Sequence, residues 1–290
     1  MSEGTSENWT VRKVLAWTTE HFERQGVDSP RLTAEVLLAH ALQLDRVGLY
    51  LDLERPLEKA ERVEYRSLVQ RRSTGDPTQY LTGNREFYGR SFQVDPRVMI
   101  PRPETELLVE RVLRELPPER PCRLLDLCTG SGCIAITIAA ERACASVWAT
   151  DLSAGACEVA RLNAESLQVG SRVTVLEGNL FGPLPGETTF DLIVSNPPYV
   201  RSAEIEQLSP EVRREPRRAL DGGLDGLAFL GPIIAEAPRW MKPEGLLAME
   251  IGECQGDPVL SLLRGGGYID AQIEKDLARQ ERFALGRRPR

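Results

Sequence analysis

The sequence carries an apolar run, RLLDL at positions 123–127, which passes directly into CTGSG at positions 128–132. An apolar stretch of helical length follows over positions 133–140. Strand, glycine turn and helix in this order are typical of the βαβ unit of nucleotide-binding folds. The turn lacks the third glycine of the dinucleotide fingerprint, and no Gly-Lys-Ser or Gly-Lys-Thr of a phosphate loop follows. The stretch therefore predicts an α/β fold in which backbone at the turn approaches a ligand of another kind.

Two further apolar runs end in residues that suit a ligand. Positions 147–150 lead into Asp151, which lies about 20 residues past the glycines, where a carboxylate binds ribose hydroxyls in related folds. Positions 173–176 end close to Gly178, Asn179 and Leu180. Because open α/β sheets bind ligands beyond the carboxyl ends of their strands, we expect these residues to share one edge with the glycine turn.

A fourth apolar run, at positions 190–195, ends in Asn196-Pro197-Pro198-Tyr199. The prolines have a fixed φ and no N–H group, and a residue before proline is held in an extended conformation. The side-chain oxygen of Asn196 and the carbonyl of Pro197 can then each accept a hydrogen from a planar –NH2 group, while Tyr199 offers a flat face. Two aligned acceptors would stabilise the positive charge that develops when the nitrogen receives a methyl group.

Each of these motifs is weak evidence when it is taken alone. Asn-Pro and Pro-Pro are ordinary turn signals, and a lone glycine turn is more often structural than functional. The order of the motifs decides between the interpretations. A glycine turn, an acid after the next strand and Asn-Pro-Pro-Tyr two strands later predict a methyl-transfer site.

The same residues resemble a known family of enzymes. The chain is similar to class I S-adenosylmethionine-dependent methyltransferases, and more specifically to the PrmC/HemK family, which methylates the side-chain amide N5 of a glutamine in class 1 peptide chain release factors. The resemblance runs from about residue 30 almost to the end of the chain. The segments that carry it are 86–88, 100–106, 126–132, 196–199, 215–216, 219–223 and 282–287.

The resemblance implies a cofactor, S-adenosylmethionine, which becomes S-adenosylhomocysteine, and it implies no metal. The implied cofactor-binding residues are Cys128, Thr129, Gly130, Ser131, Gly132, Asp151, Asn179, Leu180 and Asn196. The implied substrate-binding residues are Asn196, Pro197, Pro198 and Tyr199, of which Asn196, Pro197 and Tyr199 are also catalytic. We add Arg102 as a hypothesis, because prolines stiffen its segment and would hold it near the backbone of the substrate. Three positions depart from the family pattern: Cys128 replaces a common glycine, Asn179 an acid and Leu180 an aromatic residue.

The pattern along the chain predicts an α/β protein with two domains. We predict a helical domain over residues 1–82, a β-hairpin linker over 83–103 and a domain with a seven-stranded Rossmann-like sheet over 104–290. The resemblance implies that the first is a substrate-recognition domain and the last a methyltransferase domain. The first ten or so residues are predicted to be disordered. Helices are predicted near residues 14–22, 30–44 and 57–72, and a hairpin around Gly89. A plain linker is the competing interpretation for the segment around Arg102.

The second half alternates further helices and strands. We predict a helix from about residue 104, a loop with a short helix between Tyr199 and Asp225, and a helix over 227–241. A turn at Pro243, a strand over 246–251 and two final strands over 268–273 and 282–285 complete the sheet.

The composition restricts the possible functions. The net charge of −7, from 36 basic and 43 acidic residues, argues against a broad electrostatic contact with nucleic acid. A basic cluster lies close in sequence to the site and consists of Arg213, Arg214, Arg217 and Arg218. It fits a solvated helical face as well as it fits a local binding patch.

The six cysteines show no C-x-x-C spacing and only two histidines are present, which argues against a zinc site and against histidine-based catalysis. With no signal peptide or apolar stretch of membrane length, we expect a cytoplasmic monomer.

Three alternatives stay open at this point. A glutamine of a large-subunit ribosomal protein is a possible substrate, because Cys128 also occurs in that sister family. Adenine-N6 methylation of nucleic acid would use a similar planar –NH2 group. A degenerate scaffold that binds cofactor or partner without turnover is the non-enzymatic alternative, which Asn179 and Leu180 keep open.

Overall fold

The computed structural model describes residues 9–290, so most of the segment predicted to be disordered lies outside the described residues. The chain forms two compact units. The first comprises residues up to Gly83 together with Pro210–Arg214, and the second comprises Asn84–Ser209 and Glu215–Arg290. The predicted hairpin thus begins the second unit, and a short segment from the middle of the chain belongs to the first.

The first unit is helical. Its helices are α1 (Val11–Gln25), α2 (Pro30–Ala41), α3 (Arg46–Leu51), α4 (Lys59–Ser73) and α5 (Thr78–Thr82). They enclose an apolar core that includes Leu15, Phe22, Leu37, Leu38 and Leu49. The three longer helices were predicted from their apolar spacing, whereas α3 and α5 were missed because a helix of five or six residues shows too little periodicity.

The second unit begins with an antiparallel hairpin, β1 (Asn84–Phe87) and β2 (Arg90–Gln93), at the predicted place. The remaining strands are β3 (Cys122–Leu127), β4 (Ala145–Asp151), β5 (Val173–Glu177), β6 (Phe190–Ser195), β7 (Met241–Glu250), β8 (Ile269–Lys275) and β9 (Glu281–Arg287). They form one seven-stranded sheet in the order β5-β4-β3-β6-β7-β9-β8, in which β9 is antiparallel to its neighbours. The predicted fold class is confirmed.

Helices cover both faces of this sheet. They are α6 (Pro103–Glu115), α7 (Cys133–Glu141), α8 (Ala154–Ser166), α9 (Leu230–Trp240) and α10 (Gly256–Gly265). Adjacent residues of β3 point into different cores: Leu124 packs with α6, α7 and α8, and Leu125 packs with α9 and α10. Burial on both faces explains why β3 reads as a continuous apolar run rather than an alternating one.

The strand register aligns the residues that matter for a site. Leu127 of β3 pairs with Thr150 of β4 and with Ser195 of β6, and Ser195 in turn pairs with Met249 of β7. The residues that follow these partners therefore meet at one edge. Strand order reverses beside β3, which is the position where open α/β sheets bind ligands.

Two details differ from the prediction. Pro243, predicted to lie in a turn, lies inside β7, which begins at Met241. A register shift between Phe190 and Leu192 on the neighbouring strand accommodates it, as bulges do for proline in sheets. Helix α10 lies between β7 and β8 in the chain, and the prediction did not include it.

Candidate active site

The glycine turn after β3 is a tight, left-handed loop. Cys128, Gly130 and Gly132 have φ values of 59°, 56° and 81°. The N–H group of Thr129 donates to the carbonyl of Thr150 at 3.0 Å, which ties the loop to the end of β4. A Cβ atom at Gly132 would lie 2.7 Å from Cδ1 of Ile136 and 3.2 Å from Cβ of Ala160. Glycine is therefore required where the turn enters α7.

The fully buried carboxyl group of Asp126 holds this loop by hydrogen bonds. Its Oδ2 atom accepts from the Thr129 hydroxyl at 2.6 Å and from the Ala135 N–H at 3.2 Å. Its Oδ1 atom is buried without a hydrogen-bond partner among the described residues. Burial raises the pKa of Asp126 to about 7. The sequence placed Asp126 inside the motif but did not predict this supporting role.

Asp151 links the ends of β3 and β4. One carboxylate oxygen accepts from the Gly130 N–H and the other from the Ser153 N–H, each at 2.9 Å. Burial raises the pKa of this carboxyl above its usual value, although both hydrogen bonds act against the shift. A carboxylate oxygen has two acceptor positions, so Asp151 keeps the capacity to accept from hydroxyl groups of a ligand.

A cavity of about 180 Å³ opens between these elements. The residues predicted for the site that line it are Cys128, Thr129, Gly130, Ser131, Asp151, Asn196 and Pro198. Thr105 and Arg218 also line the cavity. The structure therefore brings the glycine turn, the acid after β4 and the Asn-Pro-Pro segment together.

Asn196 is held by a hydrogen-bonded chain that ends in a buried carboxylate. Its Nδ2 atom donates to the hydroxyl of Thr105 at 3.1 Å, and that hydroxyl donates to Oε2 of Glu250 at 2.7 Å. The hydroxyl of Tyr199 donates to the other oxygen of Glu250 at 3.1 Å. Thr105 lies in the first turn of α6 and Glu250 is the last residue of β7.

Glu250 is 1% exposed. Burial raises the pKa of Glu250, although the hydroxyls of Thr105 and Tyr199 and the nearby Arg282 act in the opposite direction. The sequence prediction missed Thr105 and Glu250 as site residues. A signal was present, because Glu250 is an acid at the end of an apolar strand and Thr105 lies within the family-specific segment 100–106.

The backbone of Tyr199 is enclosed by two glycines. A Cβ atom at Gly222 would lie 2.7 Å from Cα of Tyr199, and one at Gly226 would lie 2.5 Å from its carbonyl oxygen. Gln255 donates from Nε2 to the carbonyls of Tyr199 and Gly226, each at 3.1 Å. This packing explains why Gly222 and Gly226 are glycines.

The other predicted residues lie elsewhere. Gly132, Asn179, Leu180, Pro197, Tyr199 and Arg102 are not among the residues that line the cavity. Asn179 is exposed, and Leu180, with φ 47°, packs against the core that contains α9. Arg102 donates to the buried carboxylate of Glu215 at 2.6 Å, and Glu215 also accepts from the Ile100 N–H at 3.2 Å.

The arginine cluster does not behave as one helical face. Arg214 donates to the carbonyl of Thr74 in the first unit. Arg217 forms ion pairs with Glu206 and Asp221 in the second unit.

Within residues 9–290 no helix is long and apolar enough to cross a membrane. The same part of the chain holds no group of three or more histidine, cysteine, aspartate or glutamate side chains placed to bind a metal ion.

Comparison with known proteins gives the family. The model of the PrmC N-terminal domain matches residues 13–83, and that of the methyltransferase small domain matches residues 103–223. A release factor glutamine methyltransferase of Geobacter sulfurreducens is 46% identical over 97% of this chain and 98% of the relative. The chain belongs to the release factor glutamine methyltransferase family. A second relative of that name, from Nitratidesulfovibrio vulgaris, is 42% identical over 99% of this chain and 98% of its own length.

Solved structures agree with the fold of this family. A methyltransferase from Pyrococcus furiosus superposes with a TM-score of 0.53 at 18% identity, over 70% of this chain and 91% of its own. A 16S rRNA methyltransferase of T. thermophilus in complex with AdoMet and guanosine gives 0.52 at 18% identity, over 71% and 50% of the two chains. The predictions of the family and of a methyltransferase are confirmed. The roles of the individual site residues stay predictions.

Proposed function

We propose that the protein transfers a methyl group from S-adenosylmethionine to the side-chain amide N5 of a glutamine in class 1 peptide chain release factors. The observation that carries this proposal is the orientation of Asn196. Its Nδ2 atom is engaged with Thr105, so its Oδ1 atom is left to accept a hydrogen from a substrate –NH2 group beside the cavity. Relatives named release factor glutamine methyltransferase at 38–46% identity support the choice of substrate.

The residues around the cavity fit this cofactor. Asp151 keeps acceptor positions for ribose hydroxyls, and the loop 128–132 brings its backbone close to the ligand. We propose that Asn179 and Leu180 flank the adenine, although neither lines the cavity. When bound, S-adenosylmethionine supplies an electrophilic methyl group on a sulfonium centre.

The chain itself orients the nucleophile. An amide nitrogen is a poor nucleophile because its lone pair is delocalised into the carbonyl. We propose that Oδ1 of Asn196 and the carbonyl of Pro197 each accept one amide hydrogen, which turns the nitrogen lone pair toward the methyl group. The same acceptors stabilise the positive charge that forms on the nitrogen, and the cationic amide then releases its proton to water. Tyr199, held by Glu250, and Pro198 enclose the amide plane.

The other parts of the chain take proposed supporting roles. We propose that the helical unit contributes to release factor recognition, and its match to the PrmC N-terminal domain supports this role. Arg102 remains a proposed contact to the substrate backbone, because its side chain stays 28% exposed while it pairs with Glu215. Translation termination would place the protein in the cytoplasm, and we keep the expectation of a monomer without direct nucleic-acid contact.

The decisive experiment is intact-mass analysis of unmethylated release factor incubated with the protein and S-adenosylmethionine. We expect release factor to gain the mass of one methyl group. Release factor whose loop glutamine is replaced by alanine should gain no mass.

Asn196→Ala should lower kcat by about 100-fold or more, while S-adenosylhomocysteine still binds and the melting temperature is retained. Full activity of that variant would overturn the mechanism.

The ribosomal protein is tested in parallel, because Cys128 is the one residue that favours it. Methylation of the ribosomal protein without methylation of release factor would retain the chemistry and overturn the substrate. Methylation of neither would exclude both glutamine substrates, and adenine in nucleic acid would then be tested.

A further inference from the structure

The amide of Asn196 can adopt two orientations that differ by exchanging Oδ1 and Nδ2. Only the orientation with Nδ2 toward Thr105 leaves Oδ1 for an incoming –NH2 group. The question is therefore what makes one orientation more stable than the other, since a reversed amide would present hydrogens to the hydrogens of the substrate.

The number of hydrogens that each group can donate determines which orientation of the Asn196 amide is more stable. A threonine hydroxyl has one hydrogen to donate, and an ionised carboxylate only accepts. Thr105 directs its hydrogen to Oε2 of Glu250, so toward Asn196 it offers only a lone pair. Nδ2 of Asn196 satisfies that lone pair at 3.1 Å, whereas a reversed amide would place oxygen against oxygen.

The hydrogen bonds to Glu250 have the directions that an accepting carboxylate requires. Tyr199 donates to Oε1 and Thr105 donates to Oε2. Burial raises the pKa of Glu250 and Glu104 acts in the same direction, whereas the two hydroxyl groups and Arg282 favour the charged form. A protonated or amide side chain in this position can donate to Thr105, and the polarity of the whole chain would then be free to reverse.

We propose that Thr105 and Glu250 are positioning residues that fix the polarity of the Asn196 amide, so that its carbonyl oxygen faces the –NH2 group of the substrate. The inference rests on the proposed function. It adds a reason for substrate choice, because a fixed acceptor selects an amide over a carboxylate, which has no hydrogen to offer. The carboxylate also strengthens the acceptor, since linked hydrogen bonds polarise one another.

A purely structural role is the competing explanation. The bond from Thr105 to Glu250 joins α6 to β7, and its loss would also lower stability. The two roles differ in what a variant changes. A positioning role lowers kcat while cofactor binding and folding are retained, whereas a structural role lowers the melting temperature and affects all activities together.

The test compares three variants of the full-length protein with wild type on unmethylated release factor. Thr105→Val removes the hydroxyl at nearly equal volume, Glu250→Gln removes the charge, and Thr105→Ser keeps the hydroxyl. We expect the first two to lower kcat by about 10- to 100-fold, with KM for release factor and Kd for S-adenosylhomocysteine within about 3-fold. Thr105→Ser should recover most of the rate, and the Thr105→Val, Glu250→Gln double variant should be no slower than the slower single variant.

A matched control and an independent readout complete the design. Thr137→Val changes another buried threonine, whose hydroxyl has no partner in residues 9–290, and it should leave kcat unchanged. The side-chain ¹⁵NH₂ signals of Asn196, assigned by their loss in Asn196→Ala, should shift or broaden in Thr105→Val and Glu250→Gln but not in Thr105→Ser.

The results test the positioning role of Thr105 and Glu250 separately from the proposed methylation of release factor. Wild-type protein that leaves release factor unmethylated contradicts the proposed function, and the ¹⁵NH₂ signals then still test the polarity of Asn196. With active wild type, a Thr105→Val rate within about 3-fold of wild type, or an equal loss in Thr105→Ser, overturns the positioning role. A loss of rate that parallels loss of cofactor binding and melting temperature assigns the pair a structural role instead.

Discussion

At the residue scale, Gly222 illustrates how the site depends on a missing side chain. A Cβ atom there would lie 2.7 Å from Cα and 2.8 Å from the carbonyl carbon of Tyr199. Both are backbone atoms, so a change of rotamer cannot relieve the contact. Because Tyr199 follows directly from the Asn-Pro-Pro segment, any shift of its backbone moves the proposed acceptors.

We therefore expect Gly222→Ala to lower kcat by about 10-fold or more, since small displacements of aligned groups are costly. It should also lower the free energy of unfolding by about 1–3 kcal/mol through overpacking. Gly231→Ala in α9 is the matched control, because nothing lies within 4 Å of its added Cβ. Kinetics and urea unfolding measure both effects, and equal behaviour of the two variants would refute the steric argument.

Much of the site was predictable at this scale, because each strand end carries a local signal. Asp151, Asn196 and the turn 128–132 follow apolar runs, and Asp151, Asn196 and residues 128–131 of the turn line the cavity. Thr105 and Glu250 were not predicted because they are 145 positions apart in the chain. Their partnership depends on how α6 packs beside β7, which no local pattern encodes.

At the element scale, the helical unit contains a buried acid that joins two helices. Glu35 of α2 is 2% exposed and accepts from Arg31 and from Arg46 and Tyr50 of α3. Burial alone would raise the pKa of Glu35, but hydrogen bonds from Tyr50, Arg46 and Arg31 outweigh it and lower the pKa below its ordinary value of 4.5. Because the folded-state pKa is depressed, the stabilisation is complete above pH 4.5 and is lost as the pH falls through the folded-state value.

Glu35→Gln should accordingly lower the free energy of unfolding at pH 7 by about 2 kcal/mol, which is typical of hydrogen bonds to a charged group. The difference between the variant and wild type should shrink as the pH is lowered below 4.5. Urea unfolding of both proteins between pH 7 and pH 3.5 measures this, and comparison at each pH cancels the other carboxylates. A difference that stays constant across this range would contradict the assignment.

The elements themselves were predicted with unequal success, for physical reasons. Strands β3 and β6 have buried residues on both faces, so their apolar runs are continuous and end at clear polar residues. Helices α3 and α5 are too short for a periodic pattern, and β7 was shortened in the prediction because Pro243 reads as a turn. The register shift that admits Pro243 depends on the neighbouring strand, which a single-sequence pattern does not contain.

At the scale of the whole molecule, the charge balance separates protein from nucleic-acid substrates. The net charge is −7, and binding to nucleic acid depends on neutralising phosphates with clustered basic residues. We expect duplex DNA or RNA, added in excess at about 150 mM salt, to leave the rate of release factor methylation unchanged. A net charge of −7 disfavours a broad electrostatic contact with the phosphates of the competitor.

The rate is measured from incorporation of labelled methyl groups, with an anionic polymer such as heparin as a second competitor. Inhibition by nucleic acid that weakens steeply with added salt would indicate a phosphate-binding surface and would favour the adenine alternative. Inhibition by heparin alone would point to release factor itself as the basic partner, without any effect on the assignment of the substrate.

The division of the chain also limits how the protein can be recombined with its relatives. The helical unit includes Pro210–Arg214, and within it the almost fully buried Arg72 forms an ion pair with Glu211. A chimera that exchanges only residues up to 83 would pair a foreign helix α4 with the native 210–214 segment. Where the foreign α4 lacks a cation, Glu211 loses its partner, and in the reverse exchange Arg72 would be a buried charge without a partner in any relative that lacks the acid. Modular exchange of this unit therefore requires the replacement of two separate segments, and the second segment is only five residues long.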